Sequence, residues 1–104
     1  MYKQLSHQDA ERLMQEREIV IADVRDQDSY DSGHITNAVH LSVAALQGYC
    51  NRADKNKPVL VYCYHGISSQ SVAQHLVEYG FKEVYSLIGG FEAWKSYRPT
   101  TSDE

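Results

Sequence analysis

Two short apolar segments constrain the fold of this chain more than any other feature. Ile19–Val24 and Val59–Cys63 are nearly continuous apolar runs, the first of them largely β-branched. A strand with one face in water alternates apolar and polar residues, whereas a strand covered on both faces has a continuous apolar run. The two segments therefore predict strands that are buried inside a parallel sheet.

Segments with helical signals separate the predicted strands. The signals are a serine where a helix begins, apolar residues at helical spacing, and a glycine where a helix ends. Predicted helices begin at Ser6 and Ser42, span Ser69–Tyr79 and follow Gly89-Gly90, and further strands are predicted at Ala38–Leu41 and Glu83–Leu87. Alternating strands and helices form βαβ units, so we expect an α/β fold with a mostly parallel central sheet and helices on both faces.

Length and charge limit the domain organisation and the partners. A chain of 104 residues corresponds to one domain. We expect a single domain at 1–98 and a short polar tail at 99–104. The formal charge of −4, without a run of Lys or Arg, argues against nucleic acid or an acidic membrane surface as a partner. Nothing in the sequence indicates an oligomeric state.

The N-terminus and the two cysteines indicate a reducing compartment. Met1–Gln4 lacks the apolar core of a signal peptide, and no apolar stretch reaches the ~20 residues of a membrane helix. Cys50 and Cys63 are therefore expected to be free thiols. We expect a cytoplasmic protein.

The segment after the second buried run carries the chemistry. In open parallel sheets, ligands bind beyond the carboxyl ends of the strands. The residues at this position are Cys63, Tyr64, His65, Gly66, Ile67, Ser68 and Ser69. Backbone N–H groups of such a loop and the following helix N-terminus favour an anionic sulfur and lower the cysteine pKa. The pattern predicts Cys63 as the nucleophile and residues 64–69 as the binding loop, in which Ser68 and Ser69 either cap the helix or donate to a bound anion.

Other reactive residues receive structural interpretations. Cys50 lies on the apolar side of a predicted helix, which favours packing. Asp23 and Arg25 are expected to form a buried pair. His65 either stabilises an anion or points to solvent, and both interpretations remain open. The histidines have no metal-ligand spacing with cysteine, so no metal site is predicted.

Four motifs in this chain resemble those of a known family. They are Asp23-Val24-Arg25, Gly33-His34-Ile35, Cys63-Tyr64-His65-Gly66 followed by Ser68-Ser69, and Gly89-Gly90-Phe91-Glu92-Ala93-Trp94. In this order they resemble the motifs of the single-domain rhodanese family, and within it the GlpE type of thiosulfate sulfurtransferase. The resemblance covers nearly the whole chain.

The resemblance implies a rhodanese-like fold and a sulfurtransferase that works by double displacement. Cys63 would take the outer sulfur of thiosulfate as a persulfide and pass it to cyanide, thioredoxin or another thiol. The resemblance implies no metal and no organic cofactor. One position departs from it: Ile67 replaces the polar Asn of GlpE-type loops, and no loop residue is Arg, so we expect weak thiosulfate affinity.

Three alternatives are weighed against this interpretation. A related phosphatase or arsenate reductase would need Arg as the sixth residue after the cysteine, and that residue is Ser69. A binding module with a vestigial cysteine is disfavoured because Cys63 is present. A carrier that receives sulfur from a protein persulfide keeps the same chemistry and remains open.

Overall fold

The computed structural model describes residues 1–98 and 100–101. Its strands are β1 Lys3–Leu5, β2 Val20–Asp23, β3 His34–Ile35, β4 Val39–His40, β5 Val59–Tyr62, β6 Val84–Leu87 and β7 Thr100–Thr101. Its helices are α1 His7–Glu16, α2 Gln27–Ser32, α3 Val43–Arg52, α4 Ser68–Glu78 and α5 Gly90–Lys95.

A five-stranded sheet with the order β1-β6-β5-β2-β4 forms the centre of the molecule. Every neighbouring pair in this sheet is parallel. The two predicted apolar runs, now β2 and β5, lie side by side in register from Val20 opposite Val59 to Asp23 opposite Tyr62. All four residues of β5 are buried, so the continuous apolar run correctly predicted a strand covered on both faces. The predicted α/β fold is confirmed.

Alternate residues of β5 face two separate apolar clusters. Leu60 and Tyr62 belong to one cluster, which also contains residues of α1 and α5. Val59 and Val61 belong to the other, which contains residues of α3 and α4. The period of two along a strand thus places two helices against each face of the sheet.

Serine side chains start the helices α1 and α3 as predicted. The Ser6 hydroxyl accepts a hydrogen bond from the Asp9 N–H at 3.2 Å. The Ser42 hydroxyl accepts one from the Ala45 N–H, also at 3.2 Å. Each bond satisfies a donor that has no partner within its own helix, which fixes the first residue of the helix.

Several short elements were not predicted. Helix α2 has no buried residue, so it has no apolar periodicity for sequence reasoning to detect, although Asp26 caps it by accepting the Ser29 N–H at 3.0 Å. Strand β1 is three residues long and pairs with β6 at the sheet edge. Strands β3 and β7 form a separate antiparallel pair.

The C-terminal boundary of the domain stays a prediction. Thr100–Thr101, which lies within the predicted polar tail, forms β7 and pairs with His34–Ile35. The remaining residues of that tail, 99 and 102–104, lie outside the described residues. Within the described part of the chain, no helix is both long enough and apolar enough to span a membrane.

We predict that Val59→Ala lowers the free energy of unfolding by about 2–3 kcal/mol, because it removes two buried methyl groups and leaves a cavity. Val59 is 0% exposed. Val43→Ala is the matched control, because Val43 is 79% exposed and should change stability by less than about 0.5 kcal/mol. Urea unfolding of both variants measures the difference. Equal losses would mean that the sheet interior does not dominate stability.

Candidate active site

Cys63 follows β5 directly and is 3% exposed. Its Sγ accepts hydrogen bonds from the backbone N–H groups of Gly66 and Ser69, each at 3.2 Å. The chain therefore curls around the sulfur, so that one donor comes from the loop and the other from the first turn of α4. This is the anion-binding arrangement that the sequence predicted after the second apolar run.

Two opposing effects set the pKa of Cys63. Burial raises the pKa of the thiol, because a charged sulfur loses its hydration there. Hydrogen bonds from the Ser68 and Ser69 hydroxyls and from the backbone N–H groups of Ser69 and Gly66 outweigh burial and lower the pKa to about 7. The lowered pKa increases the share of molecules that carry the thiolate, the nucleophilic form, near neutral pH.

Gly66 allows the loop to close around the sulfur. It has a φ of +85°, and a Cβ added there would lie 2.8 Å from the backbone nitrogen of Gly89 and 2.9 Å from the carbonyl oxygen of Leu87. Both the conformation and the contact exclude a side chain. The Gln70 side-chain amide donates to the Gly66 carbonyl at 2.7 Å, so α4 binds the loop carbonyl while the Gly66 N–H points to the sulfur.

Helix α5 binds the start of the same loop. The N–H of Phe91 donates to the Cys63 carbonyl at 2.8 Å, and the N–H of Glu92 donates to the Tyr64 carbonyl at 3.0 Å. A Cβ on Gly90 would lie 2.6 Å from both of these carbonyl oxygens. The Gly-Gly pair thus allows the N-terminus of α5 to satisfy the two carbonyls directly.

The two serines that follow the loop do not cap α4. The N-cap residue is Ile67, and it makes no side-chain capping bond. Ser68 and Ser69 lie inside the first turn, so their hydroxyls remain available for other partners. Ser69 is fully buried and its Oγ lies 2.8 Å from the Oγ of Ser86 on β6. Of the two roles predicted for these serines, capping is wrong, because the helix begins one residue earlier than the pattern predicted.

The other loop residues form an exposed rim. His65 and Ser68 are exposed, and Ile67 is 76% exposed. The Tyr64 hydroxyl is hydrogen-bonded to Asp26 and lies 2.8 Å from the Ser29 hydroxyl. Tyr64 thereby connects the loop to the start of α2, as expected for a residue at the edge of the site.

A surface cavity of about 470 Å³ lies between α2, Tyr64 and α5. Arg25 and Phe91 contribute to its lining, and Lys95 lies on the α5 side. Its wall therefore includes the residue that follows Cys63, which leaves space for a small molecule beside the loop.

Asp23 and Arg25 form the predicted buried pair. Arg25 Nη2 donates to Asp23 Oδ2 at 2.7 Å and to the Gly33 carbonyl at 2.6 Å. The Tyr62 hydroxyl donates to the same carboxylate oxygen at 2.6 Å, and the Arg25 guanidinium lies 4.1 Å from the Phe91 ring centroid. Burial raises the pKa of Tyr62, so it remains a neutral donor. This network joins β2, β5 and α5 beneath the loop.

Cys50 packs into the core, as the sequence predicted. Cys50 is fully buried in the cluster below α3 and α4, and burial raises the pKa of its thiol. Both cysteines are free. Among residues 1–98 and 100–101, no three His, Cys, Asp or Glu side chains come together as a metal site would require.

Three contributors to the site were missed by sequence reasoning. Gln70 is a polar residue on a predicted helix, and nothing in its spacing indicates a bond back to Gly66. Ser86 is an isolated serine in an apolar strand, and that isolated polar residue was an available signal. Gly90 belongs to a sequence motif, but its contact with the loop carbonyls depends on the tertiary fold.

The fold and this site define the class of protein. A family model described as the rhodanese-like domain matches residues 6–97, and the chain belongs to the rhodanese family. This confirms the predicted family, and relatives that are named thiosulfate sulfurtransferases confirm the predicted class of enzyme, a sulfurtransferase of the rhodanese type.

Individual relatives agree with that assignment. A Coxiella burnetii protein named thiosulfate sulfurtransferase GlpE is 73% identical over 97% of this chain and 94% of its own length. A Vibrio cholerae protein of the same name is 47% identical over 82% of this chain and 80% of its own length. The crystal structure of the Alr3790 protein from Anabaena matches with a TM-score of 0.83 at 26% identity and covers 94% of this chain and 91% of the other.

We predict that Gly90→Ala destabilises the protein by about 1–3 kcal/mol and disturbs the sulfur site, because its φ is +59° and its Cβ would overlap two loop carbonyls. Gly48→Ala is the matched control. Gly48 lies in α3, and the nearest atom to its added Cβ is the end of the Arg52 side chain at 3.5 Å, so helix propensity should make this change neutral or stabilising by up to about 1 kcal/mol. Thermal unfolding compares the two variants. A Gly90→Ala protein as stable as Gly48→Ala would contradict the close approach of α5 to the loop.

Proposed function

We propose that this protein is a thiosulfate sulfurtransferase in which Cys63 carries the transferred sulfur as a persulfide. The observation that carries the proposal is the binding of Cys63 Sγ by the N–H groups of Gly66 and Ser69, each at 3.2 Å. The names of the Coxiella and Vibrio relatives support thiosulfate as the donor. A thiolate held at the end of a buried strand is suited to nucleophilic attack on sulfur.

In the first step, the Cys63 thiolate attacks the outer sulfur of thiosulfate. A new S–S bond forms, the S–S bond of thiosulfate breaks, and its electron pair leaves with sulfite. Residues 64–69 are the proposed binding loop, in which the backbone N–H groups stabilise the anionic sulfur. The pKa of about 7 for Cys63 means that no separate general base is needed near neutral pH.

In the second step, a nucleophilic acceptor attacks the outer sulfur of the persulfide. The acceptor is cyanide, thioredoxin or another thiol, and the Cys63 thiolate leaves. Because sulfite departs before the acceptor reacts, the kinetics should be ping-pong. The covalent intermediate supplies all the chemistry, so we propose that the enzyme uses neither a metal nor an organic cofactor.

We place this activity in the cytoplasm. A persulfide cycle requires a free thiol, and both cysteines of the protein are free. A reducing compartment keeps thiols in that state and supplies thiol acceptors.

We predict that Cys63→Ser lowers sulfur transfer by about three orders of magnitude or more, because a neutral hydroxyl cannot replace a thiolate nucleophile. Cys50→Ser is the matched control, since Cys50 is buried away from the loop and free. It should retain transfer while losing some stability. Intact-protein mass spectrometry after thiosulfate, and again after cyanide, tests the cycle. Wild type and Cys50→Ser should gain one sulfur atom that cyanide removes, and a similar gain in Cys63→Ser would refute the proposed nucleophile.

A protein persulfide is the second candidate donor. Ile67 is 76% exposed at the loop, and no residue from Cys63 to Ser69 is Lys or Arg. A rim that exposes Ile67 and has no Lys or Arg provides little attraction for a dianion but is compatible with a protein surface. Under this alternative, the protein would turn over thiosulfate slowly and accept sulfur rapidly from a persulfidated partner.

We predict that Ile67→Asn lowers the KM for thiosulfate by about threefold to tenfold, because a side-chain amide adds a hydrogen-bond donor worth about 1 kcal/mol beside the anion. The kcat should change little, since the backbone donors to the sulfur are retained. Ile67→Leu is the matched control, because it keeps an apolar side chain of the same size at this position. Steady-state kinetics with cyanide as acceptor measure both constants. An unchanged KM in the Asn variant would show that rim polarity does not limit thiosulfate affinity.

A further inference from the structure

Two buried hydroxyls lie behind the sulfur of Cys63. Ser69 in the first turn of α4 and Ser86 in β6 are both 0% exposed, and their Oγ atoms are 2.8 Å apart. The backbone N–H of Ser69 donates to Cys63 Sγ. Ser69 thus contacts both the sulfur and the second hydroxyl.

The location of Ser86 is unusual for a polar side chain. Val84 and Ser86 lie two residues apart on β6, so their side chains point to the same face of the sheet. On that face Val84 is buried in the cluster beneath α4. A hydroxyl in such a place destabilises the fold unless it is hydrogen-bonded. The bond that the structure records for Ser86 Oγ is the one to Ser69. An apolar residue would fill the same space without this requirement, so the hydroxyl calls for another explanation.

The number of available protons limits the directions that the bonds between these hydroxyls can take. A serine hydroxyl has one proton to donate and can accept from other groups. The structure records the Ser69 N–H donating to Cys63 Sγ at 3.2 Å, and the Ser69 hydroxyl at 2.8 Å from the Ser86 hydroxyl with either oxygen able to donate. The Ser69 hydroxyl also lowers the pKa of Cys63, and when it turns its proton to the thiolate it can only accept from Ser86. The chain of donors then runs from Ser86 to Ser69 to Cys63 Sγ. When the sulfur is uncharged, Ser69 can instead donate to Ser86.

We propose that Ser86 is a positioning residue that acts through the Ser69 hydroxyl to stabilise the charged sulfur of Cys63. By satisfying an acceptor site of Ser69, it leaves the single Ser69 proton directed at the sulfur. Hydrogen bonds in a chain also polarise one another, which strengthens the bond to the thiolate. The inference rests on Cys63 being the sulfur-carrying residue of the proposed function.

Two ion pairs and one carboxylate lie beside the loop. Asp23 and Arg25 form an ion pair at 2.7 Å on the β2 side, Glu92 and Lys95 form one at 2.9 Å on α5, and Asp26 is hydrogen-bonded to the Tyr64 hydroxyl. Besides Cys63, the titratable side chains within the loop are Tyr64 and His65. A change confined to Ser86 leaves all of these groups in place, so their effect on Cys63 should be unaltered.

The experiment follows the alkylation of Cys63 by iodoacetamide as a function of pH, with the site mapped by mass spectrometry. In Ser86→Ala the midpoint should move up by about 0.5 pH unit, which corresponds to about 0.7 kcal/mol less stabilisation of the thiolate. Ser69→Ala should move it further. In the Ser69→Ala background, Ser86→Ala should add no shift, because the group that transmits its effect is gone. An unmoved midpoint, or the same shift in both backgrounds, would overturn the proposal.

A second pair of variants separates the hydroxyl from packing. Thr and Val have nearly the same shape and differ in the hydroxyl, so Ser86→Thr should keep the wild-type midpoint and Ser86→Val should show the upward shift. Equal midpoints for Thr and Val would contradict the role of the hydroxyl, and this pair decides the question if Ser86→Ala fails to fold. Alkylation requires no sulfur donor. A failure of thiosulfate turnover would therefore refute the proposed function without affecting this result.

Discussion

The structure is organised around a charged sulfur placed where water barely reaches. Cys63 lies at the end of a strand with four buried residues and is itself 3% exposed, so ionisation there would be strongly disfavoured without compensation. The compensation comes from backbone N–H groups and serine hydroxyls that surround the sulfur. Fixed dipoles of this kind need no reorganisation when charge appears. The folded loop thus stabilises the thiolate in place of solvent.

Fixed dipoles require a fixed loop, and two helices hold this one. Helix α5 satisfies the Cys63 and Tyr64 carbonyls through its first N–H groups, and Gln70 of α4 satisfies the Gly66 carbonyl. Because these carbonyls are hydrogen-bonded to α4 and α5, the neighbouring N–H groups are free to face the sulfur. Gly66 and Gly90 allow this arrangement because each approaches backbone atoms to a distance that excludes a side chain. The stability of the loop and the acidity of Cys63 therefore have the same structural origin.

The sequence predicted the parts of this arrangement that are local or strongly patterned. The continuous run Val59–Cys63 was sufficient to place Cys63 at the end of a buried strand, and the glycine and serines after it predicted an anion-binding loop. Helix α2 escaped detection because it buries no residue and so has no apolar period. The Ser69–Ser86 contact escaped because it joins residues 17 positions apart, on a helix and a strand whose relative position depends on the packed core. Local patterns identify Cys63 and its loop, whereas the contact between Ser69 and Ser86 depends on tertiary packing.

The same loop also explains why this site suits sulfur transfer better than phosphate chemistry. A transferring phosphoryl group spreads charge over three oxygens and needs a cation such as Arg to neutralise it. The position where such an Arg would stand is Ser69, whose buried side chain faces Ser86 and not an open pocket. Arg25 follows the end of the neighbouring strand β2, but its Nε and Nη2 groups are bound to Asp23. A thiolate carries its negative charge on a single sulfur atom, and the N–H groups of Gly66 and Ser69 bind that atom of Cys63. The loop therefore matches the charge on a sulfur atom, and it lacks the Arg that a transferring phosphoryl group requires.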